Sequence, residues 1–285
     1  MKRNYDREFI NVTYDGERAL YGESEALIKN CRFEGPSDGE SCLKETSDLT
    51  VEKCHFALRY PLWHATKIKI VDCDMTTTCR APLWYGKDLV INNLDCSGVK
   101  AVRECKNVTI SDSNFISSEF CWLSANLKLK NLSVESEYPF FMIKRAEINN
   151  LKMKAKYSFQ YAEDVIVYDS FLDTKDAFWH TKNVTVKNSV VKGEYLGWYS
   201  KNLTFVNCKI IGTQPLCYAE NLKLIDCETE NCDLSFENSV VDAEIKGRIT
   251  SVKNPMGKIV ADEIGEIIID EHSRGKCEIF TASDK

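Results

Sequence analysis

The sequence predicts an all-β protein, a parallel β-helix (solenoid) with three short strands in each coil and capped ends. Three observations predict this fold: an apolar position that recurs every 19 residues, alternation of apolar and polar residues after it, and Asn or Asp at a fixed later point. The 285 residues, 44% of them hydrophobic, suffice for a packed core. We expect about eleven coils, each one strand spacing above the last.

One short phrase carries the repeat. KNVTISDS, from Lys106, returns as KNVTVKNS from Lys182 and KNLTFVNC from Lys201. The apolar residue of the phrase occupies Leu49, Ile68, Leu89, Val108, Leu127, Ala146, Val165, Val184, Leu203 and Leu222. All but one of these spacings are 19 residues and the exception is 21, so residues nineteen apart should be vertical neighbours in the stack.

Each coil can be followed in order from the phrase that opens at Val108. Val108 and Ile110 alternate with polar residues, which is typical of a first strand with one buried face. Asp112 stands in a column of Asn and Asp, residues that tolerate left-handed backbone and bend the chain. A second strand follows, with Phe115 inward. A third strand begins at the corner, as in Pro61–His64, and a small residue such as Ala65 closes the coil.

A leucine-rich repeat is the rival solenoid, because Leu49-x-Val51-x-x-Cys54-x-Phe56 matches its core pattern. The period of 19 lies just below the range of about 20–29 for that class, and the rest of each copy lacks the apolar spacing of a helix. A left-handed helix of hexapeptides is excluded, because inward positions do not recur every six residues. The β-helix is therefore preferred.

The chain is expected to form one domain, residues 1–285. Residues 1–25 should be an N-terminal cap, residues 26–230 the regular coils, and residues 231–285 shorter coils or a second cap. Extra residues near Gly35–Glu40 and Thr76–Arg80 should bulge at one corner without breaking the stack.

Three N-terminal stretches carry a family resemblance: ERALYGESEALIKNCRFEGPSDGES (Glu17–Ser41), LRYPLWH (Leu58–His64) and RAPLWYGKDL (Arg80–Leu89). The sequence resembles a mostly bacterial family of single-domain proteins of this length, catalogued as a domain of unknown function. The resemblance implies a right-handed β-helix of the pectate-lyase-like (pectin lyase-like) type. It implies no catalytic residues.

Composition excludes several functions. A net charge of −6 argues against nucleic acid as a partner, and no apolar run is long enough to span a membrane. Without a signal peptide, the expected compartment is the cytoplasm, where the thirteen cysteines should stay reduced and buried. No cysteine or histidine spacing typical of a metal site occurs, so we expect neither metal nor cofactor.

The third strand holds all five tryptophans in one column, here called the Trp column. Its members are Trp63, Trp84, Arg103, Trp122, Phe141, Gln160, Trp179, Trp198 and Cys217. The preceding column is apolar except at Gly197, so alternation sends the Trp column outward. An exposed aromatic row is typical of a binding surface. Subunit contact, a ligand groove for a saccharide or acidic small molecule, and stacking without a ligand remain open.

A second candidate is polar. Glu40, Arg59 and Arg80 fall in register on consecutive coils, with Asp38 and His64 nearby. Arginine can bind a carboxylate or phosphate through paired donors, and a carboxylate or histidine can move a proton. The simpler interpretation is that these charges pair with one another. The sequence therefore favours a protein of unknown biochemical function that binds or self-associates through an aromatic face. The alternative is an enzyme acting on a saccharide or acidic metabolite near the N-terminal coils.

Overall fold

The computed structural model describes residues 5–282, which form a parallel β-solenoid of about 14 turns. No α-helix occurs among these residues, so the all-β prediction is confirmed and the leucine-rich repeat is excluded. Residues 5–282 contain no helix with the length and apolar character needed to cross a membrane.

The chain divides into two compact units, Met1–Ala146 and Glu147–Lys285, with the boundary inside β15 (Lys144–Ala155). The strands of the first unit are β1 (Arg7–Ile10), β2 (Thr13–Tyr14), β3 (Ala26–Lys29), β4 (Arg32–Phe33), β5 (Thr50–Glu52), β6 (His55–Phe56), β7 (Leu62–Trp63), β8 (Lys69–Met75), β9 (Leu83–Trp84), β10 (Lys87–Cys96), β11 (Lys106–Ile116), β12 (Glu119–Phe120), β13 (Ala125–Ser136) and β14 (Tyr138–Pro139). Those of the second unit are β16 (Glu163–Tyr168), β17 (Phe171–Asp173), β18 (Lys182–Lys187), β19 (Val190–Lys192), β20 (Lys201–Val206), β21 (Lys209–Ile211), β22 (Leu222–Glu230), β23 (Val240–Lys253), β24 (Met256–Ile268) and β25 (Cys277–Thr281).

The predicted register is present in both units. Val108 on β11 pairs with Leu127 on β13, and Val184 on β18 pairs with Leu203 on β20, all in parallel. The alternating apolar side chains of these strands are buried, while the residues between them face solvent. Residues nineteen apart are thus vertical neighbours, as the repeat predicted.

The Asn of the repeated phrase explains why that phrase recurs. Asn107, Asn126, Asn183 and Asn202 all have φ near +55 to +59°, the left-handed conformation that turns the chain into each first strand. Their side-chain amides form ladders along the stack: Asn183 donates to Asp164 at 2.8 Å, and Asn202 donates to Asn183 at 2.7 Å. The phrase therefore encodes both the corner and a hydrogen bond between neighbouring turns.

The third side of each turn is more sharply bent than a strand. In the first unit it contains two-residue strands such as β7 and β9, and its inward residue is often left-handed, as at Phe140 (φ 64°). In the second unit Phe178 and Leu216 have φ 63°. Gly197, the one exception in this apolar column, has φ 69°, and an added Cβ would lie 2.7 Å from Leu216. Because Phe178 and Leu216 adopt the same backbone conformation in this column, glycine there follows from the space that the Leu216 and Leu203 side chains already fill.

The number of turns exceeds the predicted eleven because turns form at both ends of the described chain. Residues 7–10, assigned above to a cap, pair in parallel with β3 at an offset of 19, Arg7 against Ala26. Near the C-terminus the offset shortens to 16, Val240 against Met256. The predicted N-terminal cap also includes residues 1–4, which lie outside the described residues. The assignment of residues 1–285 to a single domain stays a prediction.

The cysteines are free thiols, and all except the half-buried Cys277 are buried. Burial raises the pKa of the Cys96 and Cys105 thiols to about 12. Such thiols are protonated at neutral pH and pack as small apolar groups, as predicted.

Candidate functional site

The Trp column, apart from its fully buried last member Cys217, is directed outward, one residue after a buried column. Leu62 and Leu83 are fully buried, whereas Trp63 and Trp84, which follow them, are half-buried. The second unit repeats this, with Phe178 buried and Trp179 half-buried. The predicted direction of the column is therefore confirmed, and its role in binding stays a prediction.

In the first unit the Trp column is a continuous stack. The rings of Trp63 and Trp84 lie 5.7 Å apart, and the guanidinium of Arg103 lies 5.6 Å from Trp84 and 5.1 Å from Trp122. Trp122 in turn contacts Phe141 at 4.8 Å. Arg103 thus continues the stack by cation–π contact and is not a free anion-binding group.

The indole N–H groups hold the corner together. Trp179 donates to the backbone oxygen of Tyr195 at 2.7 Å, and Trp198 donates to that of Gln214 at 2.8 Å, each acceptor lying 16 residues further on. Trp122 makes the same bond to Tyr138. Because these three indoles each bridge two turns, the Trp column has a structural role whether or not it also binds a partner. Trp63 Nε1, in contrast, is buried without a hydrogen-bond partner among the residues that the structure describes.

The outermost aromatic residues follow the Trp column by one position. In the second unit they are Tyr161, His180, Tyr199 and Tyr218, here called the aromatic ridge. Neighbouring rings in the ridge stack at 5.0, 5.1 and 5.1 Å, with planes within 14° of parallel. Tyr161 is 46% exposed and Tyr199 is 48% exposed. The sequence analysis missed the ridge, although the pairs Trp179-His180 and Trp198-Tyr199 were a visible signal.

The first unit has a shorter counterpart. His64 stacks on Tyr85 at 4.7 Å, and Tyr85 is 39% exposed. The same column then continues with Glu104, Leu123 and Met142, so it does not remain aromatic. Only the second unit carries four successive rings among the described residues.

The predicted polar candidates are partly brought together. Arg59 contacts Asp38 at 3.1 Å and Glu40 at 3.8 Å, so these three residues form an exposed ion cluster. Arg80 follows Arg59 in register, since the amide of Tyr60 donates to the backbone oxygen of Arg80. His64 belongs to the aromatic stack with Tyr85. For Arg59, Asp38 and Glu40 the contacts match the simpler interpretation, in which the charges pair with one another, whereas Arg80 makes no ion pair within residues 5–282.

A different polar cluster was missed. His55 Nδ1 lies 2.6 Å from Asp74 Oδ2, and His55 Nε2 lies 3.3 Å from Glu34 Oε2. Arg32 donates a hydrogen bond to Glu34, and this bond is the largest cause of the lowered pKa of the Glu34 carboxyl. Arg32, His55 and Asp74 share one column, so the register could have found this charged row. In residues 5–282 no group of three or more His, Cys, Asp or Glu side chains is placed to hold a metal ion.

Solved structures with this fold are similar in backbone and not in sequence. The chain matches PfbA, a surface adhesin of Streptococcus pneumoniae, with a TM-score of 0.51 and 10% identity over 84% of this chain and 85% of that one. It also matches the A-module of the mannuronan C-5 epimerase AlgE4 of Azotobacter vinelandii, with a TM-score of 0.39 and 8% identity over 96% and 89% of the two chains. These likenesses concern the fold alone.

No curated protein matches the chain in sequence. One family model does, over residues 7–280, and its description is "Protein of unknown function (DUF3737)". This match spans nearly every described turn, including the N-terminal stretches that carried the resemblance, so the chain belongs to that family.

Proposed function

We propose that this protein is a non-catalytic binding protein that self-associates through the aromatic ridge of its second unit. The observation that carries the proposal is the row of four stacked rings, two of them nearly half exposed. Aromatic side chains clustered on a surface are typical of protein interfaces, where Tyr and Trp supply much of the binding energy.

The geometry of the ridge favours a protein partner over a sugar. A sugar ring stacks on an open aromatic face, whereas in the ridge the faces of His180 and Tyr199 are covered by their neighbours. What remains for a partner is a row of ring edges and tyrosine hydroxyls, repeated at the strand spacing of roughly 4.8 Å. A second solenoid presents side chains at the same spacing, so a second copy of this chain can meet the row at every turn.

The charge of the ridge is compatible with self-association. Its four members are three tyrosines and one histidine, so no carboxylates meet where two ridges come into contact. A two-fold axis would place the same patch on both copies, which is the commonest arrangement in homodimers.

Light scattering of the purified protein tests the proposal. We expect a mass twice the 32.6 kDa of one chain, and a monomer for the double variant Tyr161→Lys, Tyr199→Lys. Phe171→Lys is the matched control, because Phe171 is 47% exposed in the same unit and lies outside the ridge. A wild-type monomer at all concentrations, or equal dissociation of the control, would contradict the proposal.

The alternative is an enzyme acting on a saccharide or acidic metabolite near Asp38, Glu40, Arg59, His64 and Arg80. Its support is weaker, because Arg59 is already paired with Asp38 and the ring of His64 packs on Tyr85.

A further inference from the structure

The last strands of the second unit leave part of a sheet edge open. β25 pairs in parallel with Gly257–Ala261, the first half of β24. The second half of β24, Asp262–Ile268, pairs with β23 on one side, and no strand within residues 5–282 pairs with its other side. Its backbone groups on that side can therefore accept a further strand.

Core side chains are uncovered at this open edge. Ile264 lies in register with Ile249, and Ile267 with Val252, both fully buried residues of β23. Ile264 is half-buried, however, and Ile267 is 49% exposed. They belong to the inward column of the solenoid, and one more strand carrying apolar residues would bury them as the other turns are buried.

The charge of the edge selects the kind of strand that fits. Residues 262–271 read DEIGEIIIDE, which is five acidic residues and four isoleucines with no lysine or arginine. Glu263 is paired with Arg248 at 3.1 Å and Asp270 with Lys253 at 3.7 Å. Glu266 is exposed and has no ion pair among the described residues. A second copy would bring the same acidic edge against this one, so a basic partner is favoured.

A groove lies beside the edge, where β25 ends. Its volume is about 470 Å³, within the range of about 300–1,000 Å³ for sites that enclose a small ligand or a side chain. Phe280, 45% exposed, and Val260 give it an apolar wall, while carboxylates (Glu244, Asp262) and lysines (Lys246, Lys258) both line it. An apolar side chain of a strand seated on β24 can extend into this groove.

We propose that the free edge of β24 binds an extended segment of another protein, in which a lysine or arginine followed by an apolar residue recurs every three residues, matching Glu263-Ile264 and Glu266-Ile267. The segment adds as a strand, so its backbone satisfies the open backbone groups of Asp262–Ile268. Its apolar residues cover Ile264 and Ile267, and its basic residues meet Glu263 and Glu266. Strand addition to a sheet edge is a common mode of peptide recognition, with side-chain pockets supplying specificity.

Fluorescence anisotropy with a labelled eight-residue peptide that repeats the order lysine, isoleucine, serine tests the proposal on the full chain. We expect saturable binding, weakened about tenfold by Glu266→Lys or by Ile267→Ser. The first change removes a contact between opposite charges, and the second removes an apolar contact. Glu135→Lys is the matched control: it makes the same charge change at an exposed position of β13, many turns from the open edge, and should alter binding less than about twofold.

Two control peptides separate strand addition from simple charge attraction. A peptide with proline at its centre keeps the charge and loses backbone donors, and one with glutamate for lysine reverses the charge, so neither should bind. Binding of the proline peptide equal to that of the first, or no binding of any peptide, overturns the proposal. So does a light-scattering mass that falls with Ile267→Ser and not with Tyr199→Lys, because a second copy would then occupy the edge.

Discussion

Two equivalent corners, one in each unit, carry an acidic side chain in the same column of the repeat. In the first unit, Glu119 accepts a hydrogen bond from Arg103 at 2.6 Å. In the second unit the acid is Asp176, and the residue 16 positions before it is Gln160 instead of arginine. Asp176 Oδ1 is buried without a hydrogen-bond partner in the described part of the chain, and burial raises the pKa of this carboxyl. The repeat thus fixes where a side chain lies, whereas its chemistry depends on the particular neighbour one turn away.

The largest expected effect comes from replacing Arg103 of the first corner by glutamine, the residue that the second corner has at the equivalent position 160. Arg103→Gln removes the ion pair with Glu119, whose side chain is only 19% exposed, and the cation–π contacts with Trp84 and Trp122. We expect a loss of about 2–3 kcal/mol in the free energy of unfolding, since breaking a partly buried pair leaves one charge poorly compensated. Urea denaturation followed by circular dichroism measures it.

Arg145→Gln is the control for this change, because Arg145 also contacts a neighbouring turn but is exposed, donating to Asn126 at 2.7 Å. Its substitution should cost less than about 1 kcal/mol. Equal losses of unfolding free energy for the two variants would show that the position of Arg103 in the Trp column adds nothing to its contribution to stability.

The reverse exchange should strengthen the second corner. Gln160→Arg places a guanidinium where it can reach Asp176 and stack on Trp179, as Arg103 reaches Glu119 and stacks on Trp122. We expect a gain of about 1 kcal/mol and a lower pKa for Asp176, because an opposite charge favours the carboxylate. Denaturation and an NMR titration of the Asp176 carboxyl measure the two effects. An unchanged pKa would mean that the shorter aspartate cannot meet the arginine.

The stacking of the turns could be predicted from the sequence, whereas their number could not. Because residues nineteen apart are vertical neighbours, the inward column through Val108 and Leu127 followed from counting, and so did the left-handed corner at Asp112 (φ 52°) and Asn131 (φ 55°). The number of turns did not, since turns of 16 residues such as Val240–Met256 interrupt the period. A strict repeat predicts which residues stack, because stacking requires only that equivalent residues of neighbouring turns are the same number of residues apart.

The surface was less predictable, because it depends on how far each side chain extends. Trp179 and His180 are adjacent in sequence, yet the indole bends back to the Tyr195 backbone while the imidazole stacks on Tyr161 and Tyr199 at the outer rim. From the sequence, the binding face was predicted to be the tryptophans, and the ring that follows four of the five tryptophans was given no part in that face. Likewise, the charged row of His55 and Asp74 was visible as an offset of 19, but the interatomic distance of 2.6 Å was not.

The smallest expected effect concerns the unpaired acid itself, and its sign depends on pH. Burial raises the pKa of Asp176 in the folded chain above its ordinary value of 3.8, so the folded state holds the proton more tightly than the unfolded state does. Stability therefore falls as pH rises above 3.8, so the penalty is larger at pH 7 than at pH 4. Asp176→Asn removes the charge, and we expect a gain at pH 7 of about 0.5 kcal/mol after allowance for solvent screening, since the carboxyl is only partly buried. Denaturation of both proteins at pH 7 and pH 4 should show this gain shrinking at the lower pH, where the carboxyl of the parent protein takes up its proton. A gain that is equal at both pH values would trace the effect to the amide's hydrogen bonds and not to the buried charge.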